Sequence, residues 1–485
     1  MKSFKRLLLS AICFTLIAAA SPVYAASSSA SQTDSASSAS RIEEVLQTIK
    51  DYYLRDVSEE DLVQAAIKGM LDSLGDPYSE YFTAAEARDF FNYINGTDYK
   101  LGIYFKAVDN RVKVVKVEPG SAAEKAGVKA GDFVLSLNGA KLTVDNFEQV
   151  YYGAMPKEDT GKVVVQVLRG LQTINCTLEL TKVEYPLATA SLFPGSIGYI
   201  ALNSFAERTV TEMDKGLADL RAKGMKSLIL DLRGNGGGDV QAAEDIAKRF
   251  IKEGTFVYLT DKTGEMYEDK IDGGTPIGVP VYLLVDENTA SASEMLAGML
   301  QDYGIAKVIG MTTYGKGVIQ QVQNFEPDEA MLKLTTYEYF TPDKHKVNEI
   351  GITPDIAADD PFSQIFTALR EAGATSFTVQ VGKDSYTLNG VEFSGSIPIV
   401  REQGKTYVLA RLAAAVLGAD AEWKGGKEQA LVLTRDGKAS KFSLASGKAI
   451  QRDDFTYLDI SELARLYPSL SWKNTADGIA LTSAD

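Results

Sequence analysis

The strongest constraint lies between residues 186 and 360, where strand-length apolar runs alternate with helix-length ones. Ile197 to Leu202 and Ser227 to Leu232 read as strands, and Val210 to Ala222 and Val240 to Ile251 as helices. Val279 to Val285 is a further strand, followed by a helix from about Ser291 to Asp302. Such alternation predicts an α/β layer architecture, because each helix must bury its apolar stripe against a sheet. Two strand-to-helix junctions are unusual. One is the glycine run Gly234-Asn235-Gly236-Gly237-Gly238, the other Thr289-Ala290-Ser291-Ala292-Ser293-Glu294.

The flanking segments follow other patterns. Residues 41–97 read as helical: Ile42, Val45, Leu46 and Ile49 share one helix face, and Ser58-Glu59-Glu60-Asp61 resembles a capped helix start. Residues 98–183 carry short alternating runs (Val112 to Val117, Val163 to Leu168) around a turn-rich centre and read as mainly β. Residues 376–485 read as a separate unit with an internal repeat. Thr406-Tyr407, Leu412-Ala413 and Trp423-Lys424 recur about 50 residues on as Thr456-Tyr457, Leu463-Ala464 and Trp472-Lys473, and the two Trp are expected to fill cores.

The N-terminus reads as a secretory signal over 1–25: Lys2, Lys5 and Arg6, then the apolar run Leu7 to Ala20, then Val23-Tyr24-Ala25. The expected location is secreted or extracytoplasmic, with an uncleaved membrane anchor as the alternative. Residues 26–40, nearly all Ser and Ala, are expected to stay disordered.

Composition narrows the chemistry. The net charge of −15, which becomes −18 without the three cations of the signal-like segment, argues against nucleic acid as a partner. Cys13 lies in that segment and Cys176 in an alternating strand run, so no internal disulfide or multi-cysteine zinc site is expected. His345 is the single histidine and sits in a polar loop, which excludes sites needing two. The glycine run lacks a sixth-position Gly, which is Asp239, and no P-loop lysine follows it. No cofactor or metal is therefore expected.

Glycine N–H groups at a strand-to-helix junction can hold an anion, although a plain tight turn explains the run equally well. A serine at the second junction would meet the positive end of a helix, although taken alone the segment reads more simply as an N-cap by Thr289, Ser291 or Ser293. Lys316 stands between Gly315 and Gly317; drawn into a pocket it would lose charge and become a base, while in solvent it is an ordinary loop lysine. With so little histidine, Ser plus Lys is the natural way to activate a hydroxyl.

Together these residues resemble the C-terminal processing peptidases, or tail-specific proteases. The motifs are Leu230-Asp231-Leu232-Arg233-Gly234-Asn235-Gly236-Gly237-Gly238, the segment Thr289 to Glu294, and Tyr314-Gly315-Lys316-Gly317 with Gln320 and Gln321 following. Gly351-Ile352-Thr353-Pro354-Asp355 resembles the segment that closes the core. The resemblance implies an exported, ATP-independent serine endopeptidase with a crotonase-like (ββα-repeat) core over 184–362. It implies Ser291 as nucleophile, Lys316 as general base and Gln320 as the residue that orients the lysine. The oxyanion hole would be the N–H groups of Gly237 and Ala292. Ser293 is the competing serine. Two glycines depart from the family pattern, at 234 and 236, which points to a looser loop and a latent site or a non-catalytic scaffold as the alternative.

Residues 98–183 resemble an inserted PDZ domain, with Leu101-Gly102-Ile103-Tyr104 as the loop that grips the terminal carboxylate of a protein or peptide with an apolar tail. Arg169 resembles a residue that senses PDZ occupancy. The helical segment suggests a homodimer. Residues 376–485 resemble the copper amine oxidase N-terminal-like domain of exported Gram-positive proteins; the resemblance implies a cell-wall or protein partner and no copper.

Overall fold

A computed structural model describes residues 15–16, 32–99, 101–108, 110–156, 160–326 and 329–484. The signal-like segment 1–25 lies outside the described residues except for 15–16. The chain forms two compact bodies. One comprises Thr15–Tyr185 with Val318–Tyr337; the other comprises Pro186–Gly317 with Glu338–Asp485.

The first body opens with helices α1 (Gln32–Tyr52) and α2 (Glu59–Asp72). The Ser58 hydroxyl accepts from Asp61 N–H at 3.3 Å, as the capped start requires. Helix α1 begins at Gln32, inside the stretch expected to stay disordered. The stretch Gln32 to Ser40 is rich in Ser, with two Ala, and holds no Gly or Pro to stop a helix, so the helix that Ile42, Val45 and Ile49 favour extends back through it. Strand β1 (Glu80–Phe82) and helix α3 (Ala84–Ile94) follow, the latter started by a capping box of Thr83 and Glu86.

Next comes the expected mainly-β domain. Strands β2 (Thr97–Tyr99), β3 (Ile103–Val108), β4 (Arg111–Val117), β5 (Phe133–Leu137), β6 (Thr160–Arg169) and β7 (Gln172–Glu184) pair in the order β2-β7-β6-β5-β4-β3. Strand β3 is therefore an edge. The short helix α4 (Ala122–Lys125) and helix α5 (Phe147–Gly153) complete the domain. Its core holds Val112, Val114, Val163, Val165, Leu178 and Cys176, a small buried strand residue as expected.

In the second body, β8 (Ala188–Phe193), β9 (Ile197–Leu202), β10 (Ser227–Asp231), β11 (Val281–Val285), β12 (Ala306–Gly310) and β13 (Ile356–Ala357) form one sheet in that order. All neighbours are parallel except the β8–β9 pair. Helices α6 (Glu207–Ala222), α7 (Val240–Ala247), α8 (Ala292–Asp302) and α9 (Pro361–Glu371) accompany it. Strand β10 is buried at every position, the mark of a strand covered on both faces.

The C-terminal segment is not a separate unit. Its apolar residues, from Phe377 to Leu481, belong to the same cluster as Phe193, Tyr199 and Ile229 of the parallel sheet. Phe393 packs on both Phe193 and Tyr199, with ring centroids 6.5 and 5.6 Å away. Arg370 of α9 donates to the carbonyls of Ala415 and Val416 at 2.9 Å each. A sequence repeat identifies the unit but not which face it buries. Trp423 also departs from expectation: it is 36% exposed and lines an open cleft of about 1190 Å³ with Phe362 and Phe455.

Candidate active site

Both junctions meet at the ends of β10 and β11. The Asn235 carboxamide nitrogen donates to Leu202 O at 2.8 Å, and its backbone carbonyl accepts from Ala290 N–H at 3.1 Å and from the Ser293 hydroxyl at 2.9 Å. Thr289 Oγ1 donates to Leu232 O at 2.9 Å. Two of the three serine and threonine hydroxyls that could have capped α8 are thus engaged elsewhere.

Ser291 is the third, and it is different. Its backbone has φ 62° and ψ −122°, a positive φ that strains any residue with a Cβ. With Ser293 N–H bonded to Ala290 O at 3.2 Å, residues 290–293 make a II′-type turn with serine at its strained corner. The Ser291 hydroxyl has no hydrogen-bond partner although it is fully buried. An unpartnered buried hydroxyl costs about 1–3 kcal/mol, and a strained serine pointing it away from the backbone is what an acyl-transfer nucleophile requires.

Glu294 ties this turn to the lysine segment. Its Oε2 accepts from the N–H groups of Ser291 (2.8 Å) and Lys316 (2.9 Å), and its Oε1 accepts from the Thr313 hydroxyl (2.5 Å) and Gly315 N–H (2.7 Å). Burial pushes the Glu294 carboxyl up from its ordinary value, and these four donors pull it back. Tyr339 adds a second tie: its hydroxyl lies 2.8 Å from Lys316 O and 3.2 Å from Ser291 O. Lys316 itself has no exposed surface. Gly317 could not be another residue, since a Cβ there would stand 2.1 Å from Asn348 N.

The other expected site residues divide. Ala292 is the first residue of α8, so its N–H is among those with no partner inside the helix. A Cβ on Gly237 would lie 2.9 Å from Ser291 Cβ and 3.0 Å from Ala292 N, so glycine is required by close approach and by its φ of 101°. Its N–H, however, donates to Asn235 Oδ1 at 2.9 Å rather than facing the serine, because the asparagine closes a local turn over the loop. Gln320 lies in the first body; its Nε2 donates to Thr335 Oγ1 at 2.9 Å and its buried Oε1 has no partner. Arg169 forms a two-pronged ion pair with buried Asp132 (2.8 and 2.7 Å) and also donates to Gly127 O. Leu101 and Gly102 are buried, and Ile103 and Tyr104 begin the edge strand β3. His345 is mostly exposed beside Asp302, far from any role as base in its loop.

Sequence reasoning missed Thr313 and Tyr339 entirely and took Glu294 for a helper at a helix start. The S-A-S-E string held the one usable signal.

A strained serine with an unbonded hydroxyl, tied through Glu294 to the backbone of a buried lysine on an α/β body, has the form of a serine hydrolase site. Residues 196–358 match peptidase family S41, residues 16–86 the activating protease CtpB N-terminal domain, residues 100–180 a PDZ domain, and residues 363–432 a copper amine oxidase N-terminal domain. A probable CtpA-like serine protease of Staphylococcus saprophyticus is 32% identical over 347 residues, 71% of this chain and 69% of the relative. The carboxy-terminal processing protease CtpB of Bacillus subtilis is 31% identical, over 66% of this chain and 68% of its own. The solved photosystem II D1 C-terminal processing protease is 26% identical, covering 66% of this chain and 92% of that one with a TM-score of 0.41. The chain belongs to the carboxy-terminal processing proteases of peptidase family S41, and it is a serine protease with a PDZ domain.

Proposed function

We propose that this protease is exported, captures the C-terminal tails of proteins through its PDZ domain, and cleaves them without ATP by a Ser-Lys mechanism on a crotonase-like core. Ser291 Oγ attacks the scissile carbonyl and Lys316 Nζ takes its proton. The lysine then protonates the leaving amine, and water, deprotonated by the same amine, hydrolyses the acyl-enzyme. Full burial of Lys316 supports the assignment, since burial disfavours an ammonium relative to a neutral amine. Ala292 N–H faces the developing oxyanion. Gln320 orients the lysine, Leu101 to Tyr104 receive the tail carboxylate, and Arg169 reports occupancy.

The observation that carries this reading is the strained, unbonded Ser291 hydroxyl joined through Glu294 to the Lys316 backbone. The test is cleavage of an unstructured protein with an apolar C-terminus. Wild type should cleave it; Ser291→Ala and Lys316→Ala should not. Retained cleavage by either variant refutes the pair, and cleavage by Ser291→Ala moves the nucleophile to Ser293.

A second reading, that the protein rests in a latent state, is favoured by two observations. The Ser291 hydroxyl has no solvent access, and the Gly237 N–H is held by Asn235. On this reading a fluorophosphonate probe labels Ser291 slowly, and an added tail peptide accelerates labelling. Rapid labelling without peptide removes it.

A further inference from the structure

The PDZ sheet carries a cationic face that the tail-capture reading leaves unused. Strands β3 and β4 are antiparallel partners with Tyr104 opposite Lys116, Lys106 opposite Lys113 and Val108 opposite Arg111. The register slips by one residue between Tyr104 and Phe105, leaving Val115 unpaired. That bulge is what puts Lys113 and Lys116, three residues apart, on the same face. Next to them, Phe133 of β5 stands opposite Lys113.

The side chains form one contiguous surface. Lys116 Nζ lies 4.9 Å from the Tyr104 ring centre; Arg111 lies 3.9 Å and Lys113 Nζ 5.5 Å from that of Phe133. Among the described residues none of Lys106, Arg111, Lys113 and Lys116 joins an ion pair. Among the described residues, Asp132 beside Phe133 is buried and held by Arg169.

Like charges directly opposite one another weaken a sheet. The chain has 65 acidic residues against 50 basic ones, yet places four cations here without an acidic neighbour in the ladder. The other face of the same strands is apolar: Val112 and Val114 are buried, and Phe105 packs on Phe147 and Tyr151 of α5 at 5.4 and 6.1 Å.

A peptide added along the free edge of β3 would alternate its side chains between these two faces. An apolar last residue takes the aromatic side, with the third-last. The second- and fourth-last then lie beside Tyr104 and Lys106. We propose that the tails this domain selects are acidic at the second and fourth positions from an apolar C-terminus. The proposal rests on the tail-capture reading and names its substrate class.

The test uses the full chain carrying Ser291→Ala, so that probes survive. Three fluorescein-labelled ten-residue peptides, identical except for Glu, Gln or Lys at those two positions, are titrated by anisotropy. Affinity should follow Glu over Gln over Lys, with about a fivefold step between the first two at low salt that shrinks as salt is added. Lys106→Glu, which leaves Arg111, Lys113 and Lys116 in place, should narrow the preference for Glu over Lys, and the salt dependence of the parent chain gives the same answer without that variant. Equal affinities for the three peptides, all lost on amidating the C-terminus, overturn this proposal and leave tail capture standing. No binding by any of them overturns both.

Discussion

At the residue scale the site depends on one carboxylate receiving four donors. Glu294→Gln keeps the shape and replaces one acceptor oxygen with an NH₂ group. Whichever oxygen is lost, two donors then face a donor: Ser291 and Lys316 N–H, or Thr313 hydroxyl and Gly315 N–H. The expected outcome is a loss of about 3 kcal/mol of stability and a fall in kcat of about 100-fold, with KM nearly unchanged because tail binding lies elsewhere. Thermal melts and steady-state kinetics check it. Lys333 gives a separate prediction. It is buried on the long strand Ala330–Phe340, opposite Glu80 of β1, 3.2 Å from its carboxylate and over the Phe82 ring. Burial lowers its pKa to about 8 in spite of Glu80. The folded chain therefore binds fewer protons than the unfolded one between about pH 8 and 10.5, so this residue makes stability rise with pH across that window. Below pH 8 the penalty is fully present, at about 3 kcal/mol. Lys333→Met should remove both the penalty and the slope, read as the difference between the two unfolding curves at pH 7 and pH 10. The legibility of the site follows the same line. Ser291, Lys316 and Gly237 stand in short strings whose glycines and small residues announce a special backbone. Thr313 and Tyr339 act through a hydroxyl alone and sit in strings that read as ordinary loop and strand. Where the Gly237 N–H points is set by Asn235, whose Oδ1 accepts it at a range of two residues, a choice that composition does not encode.

At the scale of elements, the loops were less legible than the strands and helices they join. Strand β10, with five buried residues, and the capped start of α2 follow directly from their patterns. The tight joints depend on space rather than propensity. At Gly317 a Cβ would meet three atoms of Asn348 within 2.6 Å. Gly317→Ala should displace the lysine segment and lower kcat by at least about 10-fold while melting at a lower temperature. Kinetics of a variant with unchanged melting and activity would show that the segment has slack. Helices α1 and α2 raise a different question, because their apolar stripe is uncovered. Ile42, Val45 and Met70 are each more than half exposed, and α2 has no buried residue. A second copy of the same pair would cover such a stripe, which is the dimer expected from the segment. Sedimentation equilibrium should give a dimer for the wild type and a monomer for Ile42→Asp with Val45→Asp. A monomeric wild type removes the idea.

At the scale of the whole molecule, the C-terminal segment decides how the protease can be divided. The repeat suggested a module that could be detached, and its apolar residues instead complete the cluster of the catalytic sheet. Several contacts make the junction, among them Phe366 against Phe377 with ring centroids 5.4 Å apart. Phe393 closes an aromatic group with Phe193, Tyr199 and Tyr386, and Arg370 joins α9 to the helix Ala410–Leu417. The same region meets the active-site strand from below: the Tyr199 hydroxyl donates to Asp231 Oδ2 at 2.7 Å, and the Arg233 guanidinium binds Asp231 and reaches Pro361 O at 2.9 Å. Asp231 ends β10, three residues before the glycine run begins at Gly234. Loss of the C-terminal segment would therefore uncover Phe193, Tyr199, Phe366 and Leu369 and loosen the strand end that carries the glycine loop. A chain truncated after residue 372 should be poorly soluble or melt far below the full chain, and it should lose cleavage although every catalytic residue remains. Phe393→Ala isolates the junction: removing a half-buried ring costs about 2 kcal/mol. That variant should lower Tm by several degrees and slow cleavage of every substrate alike, since it acts behind the glycine loop and not at the PDZ edge. A truncated chain with full Tm and full activity would return the segment to the status of a tethered module.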